Sequence, residues 1–138
     1  MNRHPYLRAY LAGIAVPTVF LMVIVIAFTV SRHLWSTVVP FERVIIFPMA
    51  VVPNAWGLWN VLYVFLRARR QWPLGLHGAL LPLLLAPAGF ALTRLLDVAL
   101  PPFLAAGFPY GFPVGIAAYY LAWKHLVGFL NELLGVAG

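Results

Sequence analysis

Towards its C-terminal end the chain carries Tyr120, Lys124, Gly128 and Asn131 at i, i+4, i+8 and i+11, with His125 beside the lysine. On a helix that spacing gathers the four on one face. Upstream, Asn54, Asn60 and Tyr63 form a second polar set, and Trp56, Asn60, Tyr63 and Arg67 also fall on one helix face. Both sets sit in stretches that are otherwise apolar. A lysine held away from water needs an anion, a wet cavity or a way to shed its proton. Histidine titrates close to neutral pH. The chemistry these residues suit is the handling of something small, anionic or protonatable. The expected site is a polar core of Asn54, Asn60, Tyr63, Tyr120 and Lys124, with His125 at its edge.

Other chemistries lack material. Cysteine is absent, which removes thiolate nucleophiles, disulfides and cysteine metal sites. The acids are Glu42 and Asp97, expected at the outer edge, and Glu132, expected at the inner, which leaves almost no material for carboxylate-pair catalysis. The four histidines show no i, i+4 pairing, so neither zinc nor haem is expected, and no cofactor is. Ser31 and Ser36 have no base and acid beside them, and no glycine-rich phosphate loop is present. The chain reads as non-catalytic.

The elements that must hold these residues follow from composition. The chain is 64% hydrophobic with 9% charged residues, against about 45–50% and about 25% in soluble domains. A fold of 138 residues cannot hide that much apolar surface from water. Lipid is the solvent that fits, so the expected fold is all-α: four transmembrane helices in an antiparallel, proline-kinked bundle, forming one domain. The net charge of +6 is spread over loops and helix ends, which suits topology signals and lipid headgroups and not nucleic acid.

The spans are read at about 9–30, 44–66, 74–93 and 112–134. The first is too long for the core of a signal peptide and has no small-x-small cleavage site after it, so it is taken as retained. Its threonines, Thr18 and Thr29, can bond their own backbone. Ser31–Arg43 reads as a loop, with Glu42 and Arg43 opening the second span. Pro48 and Pro53 interrupt that span. The short basic turn from Arg67 to Pro73 makes spans two and three antiparallel neighbours. Gly78, Pro82, Ala86 and Phe90 give span three a mostly small face for close helix approach. Arg94 and Asp97 have ion-pair spacing at its end.

Residues 98–112 hold Gly107, Pro109 and Gly111 and read as turn-rich or re-entrant, since interior proline breaks helices. That reading starts span four near Phe112 and buries Lys124 at mid-depth. The alternative runs the span from about Leu104 to Trp123. Tyr119, Tyr120, Trp123, Lys124 and His125 then form an interfacial belt, and the residues after 126 form a surface tail. It requires Gly107, Pro109, Gly111 and Pro113 inside a helix.

Four spans put both termini on one side with Arg3, Arg8, Arg67, Arg69 and Arg70, expected to be cytoplasmic. Arg67, Arg69 and Arg70 are the expected anchor for lipid headgroups. His77 is expected at headgroup level, and Asn54 and Asn60 double as helix–helix glue. The size and four-span layout resemble those of the small multidrug transporters and the small fluoride channels, which work as dimers. The resemblance is architectural: span one lacks the acid of the former, and the threonine-rich motif of the latter is absent. Four short helices enclose little volume, so the expectation is a transporter or channel-like homo-oligomer. The alternative is an accessory subunit of a larger membrane complex.

Overall fold

A computed structural model describes residues 3–35, 50–97, 99–100 and 102–136, and every regular element among them is helical. Helix α1 runs Pro5–Trp35 and opens on a proline, whose missing N–H costs nothing in a first turn. Pro17 lies inside it. Thr18 and Thr29 donate to the Ile14 and Val25 carbonyls at 2.6 and 2.8 Å, which spares both hydroxyls a solvent partner. Helix α2 is Val52–Arg67. Pro53 falls in its first turn, just after the break at Val51 that separates α2 from the helical Ala50, so the expected interruption is present and the proline sits where its missing N–H costs nothing. The expected loop from Ser31 to Arg43 is corrected at its start, since Ser31–Trp35 continue α1; residues 36–43 of it, and residues 44–49 of the expected second span, lie outside the described residues.

Helix α3 is Leu74–Leu95, close to the bounds read from the sequence. It stops because Asp97 turns left-handed, with φ 52°. Asp97 has therefore left the helix, and the expected pairing with Arg94 does not form.

The largest departure lies in the fourth element. Helix α4 runs Pro102–Leu121, continues as six residues of π-helix over Ala122–Val127, and ends as α5, Gly128–Leu133. No turn-rich segment occupies 102–112. Pro102 takes a tolerated first position, and Pro109 and Pro113 are exposed, so their rings crowd no neighbouring helix. The π turn is marked by the Gly128 N–H, which bonds the Trp123 carbonyl five residues back. After α5, the Val136 N–H bonds the Asn131 carbonyl (2.7 Å) and the Gly135 N–H bonds that of Glu132 (3.0 Å). Gly135 has φ 66°, which a side chain would disfavour, and the two bonds close a Schellman cap.

The helices run antiparallel in sequence. Ala9 and Gly13 of α1 meet Asn60 and Gly57 of α2. Trp59 meets His77 across the short turn. Gly78 of α3 meets Trp123, and Phe90 meets Phe108. The core is Trp56, Leu81, Trp123 and Val127, packed towards one end of the bundle. At the other end α1 is bare: Val19, Phe20, Met22, Val23 and Ile26 are each more than half exposed.

Candidate functional site

Small residues decide where polar groups can meet. A Cβ on Gly13 would stand 2.6 Å from the Trp56 carbonyl oxygen and 2.8 Å from the Gly57 Cα, so α1 and α2 touch backbone to backbone. That approach brings the Ala9 carbonyl to Asn60, whose Nδ2 donates to it at 2.7 Å. The same Nδ2 donates to Asn131 Oδ1 at 2.8 Å, and Asn131 Nδ2 donates back to Asn60 Oδ1 at 3.2 Å. Asn60 is fully buried and Asn131 nearly so. Two amides thus tie α1, α2 and α5 together with all their strong needs met.

A second knot joins α2 to α3. Trp59 Nε1 donates to the His77 carbonyl at 2.8 Å, and His77 Nε2 donates to the Trp59 carbonyl at 3.1 Å. The second bond requires the proton on Nε2 in the neutral ring. The imidazole stacks on Trp59 (4.9 Å, 24°), with Tyr63 at 5.3 Å and Trp123 at 6.0 Å. His77 is 5% exposed and sits in a box of aromatic rings. Trp123 in turn fills the space that Gly78 leaves open. Its indole N–H and that of Trp56 are buried without a protein acceptor.

Of the six expected site residues, this layer takes two. Asn60 lies at its centre, and Tyr63 is half-buried beside His77. Asn54 is exposed, accepting from Tyr10 Oη at 2.5 Å and donating to the Ala50 carbonyl at 2.8 Å. Tyr120 lies half-buried over Gly75. Lys124 and His125 are exposed, and the lysine Nζ sits 5.9 Å above the Tyr120 ring. The expected face of Tyr120, Lys124 and Asn131 is split, because Asn131 points inward and Lys124 outward.

The π turn is the cause. It takes up one extra residue, which rotates everything after it by about 100°. Trp123, Val127 and Asn131 would drift by roughly 80° along an ideal α-helix, and that rotation brings them onto one stripe. All three are buried. Residue spacing alone assigned Asn131 to the wrong neighbours.

The basic residues collect at the same end. Arg8 donates to the Leu134 carbonyl (3.3 Å) and Arg67 to that of Val136 (3.4 Å), where cations suit the carbonyl end of a helix. Arg69 lies over the Phe65 ring at 5.6 Å, and both Arg69 and Arg70 are exposed. A cleft of about 500 Å³ opens beside them, lined by Tyr63, Arg67, Gln71, Trp72 and Pro73. Comparison of the chain with known protein families, with characterised proteins and with solved structures returns no match. The interior layer is packed and its amides are satisfied, an arrangement that fixes helices.

Proposed function

We propose that the chain is a four-span integral membrane protein, both ends cytoplasmic, working as a non-catalytic subunit that docks other membrane helices on the outer face of α4. Two helices, Pro5–Leu34 and Leu74–Leu95, are long and apolar enough to cross a bilayer. Arg8, Arg67, Arg69 and Arg70 gather at the end where Arg8 meets Leu134, the bias expected of a cytoplasmic face. The observation that carries the docking reading is the bare seam on α4. A Cβ added at Gly107, Gly111 or Gly115 would meet nothing within 4 Å, whereas at Gly13, Gly57, Gly75 and Gly78 it would collide with a neighbour. The same residue type that lets helices touch inside the chain is unused on α4. The seam takes a second copy of this chain or a helix of a larger complex.

The membrane frame also assigns Lys124. Helix α3 is about 33 Å long, close to a hydrocarbon core of about 30 Å. Its first turn lies against Tyr120 and Trp123, and Phe90 lies against Phe108. The run from Pro102 to Leu133 combines elements of 20, 6 and 6 residues and reaches roughly 45 Å, so about ten of its residues extend beyond the core. Those are the residues from Lys124 on. Lys124 and His125 are then interfacial anchors beside an aromatic belt. Because the chain has no cysteine, a single cysteine at 124 reports alone. Lys124→Cys is expected to react with an impermeant maleimide as fast as Arg69→Cys, and Val114→Cys to stay protected. A residue 124 as slow as 114 restores the deep lysine.

A second reading keeps transport, with the pathway between two copies. The observation favouring it is that Tyr120, Lys124 and His125 all reach the outer surface, where two chains could share them. One substitution separates the readings. Gly111→Leu is expected to weaken assembly in nanodiscs by about tenfold or more, since overpacking a seam costs about 1–3 kcal/mol, while the melting temperature of the single chain is not lowered, because leucine is the better helix former at an exposed position. A wild-type particle holding one chain and nothing else overturns docking. Flux in liposomes that Lys124→Ala abolishes establishes transport.

A further inference from the structure

An open cleft lies at the turn that joins α2 to α3, beside the basic residues. It is lined by Tyr63 and Arg67 of α2 and by Gln71, Trp72 and Pro73 of the turn that follows. We propose that it seats the phosphate headgroup of one anionic phospholipid. This rests on the membrane reading above.

The chemistry of the lining selects the ligand. An arginine fork donates paired N–H groups that match phosphate oxygens. Arg67 also donates a long bond, 3.4 Å, to the Val136 carbonyl. Gln71 adds amide donors, and Arg69 and Arg70 follow within the same turn. Glu132, the acid of α5, does not line the cleft. The remaining walls are amphipathic. Trp72 is 46% exposed beside the charge, the position an indole takes where headgroups meet glycerol.

An acyl chain has a path to follow. Leu58, Leu62 and Leu66 recur at i, i+4 and i+8 on the exposed side of α2, one residue round from Tyr63 and Arg67. Phe65 is half exposed beside them, under the Arg69 guanidinium. A charged seat at the end of an apolar track fits a lipid better than a free ion, which has no use for the track.

The test uses the full chain, purified in mild detergent and stripped of lipid. Phosphatidylglycerol and phosphatidylcholine of equal chain length are added and bound lipids are counted by native mass spectrometry. One retained phosphatidylglycerol per chain is expected, at least fivefold above phosphatidylcholine, in line with the effect of one basic residue near a membrane surface. Arg67→Gln should lose that preference. Gln71→Leu with Trp72→Ala should also lose it without touching the Val136 bond, so a folding defect at Arg67 cannot imitate the result. Arg32→Gln, at the other end of α1, should change nothing. Inorganic phosphate at millimolar concentration should not displace the lipid; if it does, the cleft is a site for a free anion and the lipid assignment falls. Equal retention of the two lipids, or variants that retain phosphatidylglycerol as wild type does, overturns the site while the membrane reading stands. A chain that stays in solution without detergent overturns both.

Discussion

Gly78→Ala is expected to destabilise the chain by about 2 kcal/mol, although the same change stabilises an exposed helix position by about 1 kcal/mol. The reason is the fit between α3 and the π segment. A Cβ at Gly78 would lie 2.0 Å from Trp123 Cγ, 2.3 Å from its Cβ and 2.5 Å from its Cδ1. These are the rigid root of the side chain, so no rotamer of the indole relieves all three. Either α3 withdraws or Trp123 leaves its place. Both routes open the contacts of Trp123 with Trp56 (5.3 Å) and His77 (6.0 Å). Thermal unfolding in detergent measures the loss. The partner change discriminates: Trp123→Leu makes room, so Gly78→Ala should cost less in that background than alone. Additive effects in the double mutant would mean that the two residues are not in contact. An unchanged melting temperature for Gly78→Ala would mean that α3 does not approach the fourth helix this closely.

How much of this was legible in the sequence depends on the residue. The third helix was, because Pro73 and the basic turn bound it at one end and Arg94 and Asp97 mark the other. The small face of Gly78 and Pro82 was legible as a place of close approach, and both are buried. The helix over 102–112 was not. Proline reads as a breaker, yet α4 runs through Pro109 and Pro113, each giving up one backbone bond at an exposed position. Their being in a helix interior also removes the objection to an interfacial belt at Tyr119–His125. The pairing of Asn60 with Asn131 was out of reach for a different reason. Counting by 3.6 residues puts Asn131 with Lys124, and no residue type announces a π turn. His77 had a fainter signal. Trp59 and Tyr63 stand at i, i+4 just before a short turn, and His77 lies one turn into the next helix. A tight antiparallel pair places the three together, as observed.

The second large effect concerns that amide pair, and its sign distinguishes glue from a ligand site. Asn60→Leu keeps the volume but leaves both ends of the Asn131 amide without partners at 3% exposure. A buried polar group stripped of its bonds costs about 1–3 kcal/mol, so a loss of about 2 kcal/mol is expected. Asn131→Leu strands Asn60 less severely, because its Nδ2 keeps the Ala9 carbonyl at 2.7 Å. That variant should lose about 1 kcal/mol. Asn60→Leu with Asn131→Leu removes the stranded groups altogether, and two leucines fill a layer already walled by apolar residues. The double variant should therefore be more stable than Asn60→Leu alone, a coupling that unfolding midpoints of the four proteins resolve. Glue behaves this way because its polar groups serve only each other. If the pair instead held a solute or a water path, the double variant would lose activity while folding well, and stability would not be the property that moved. A double variant less stable than either single one would show that α1, α2 and α5 meet through contacts other than these two side chains.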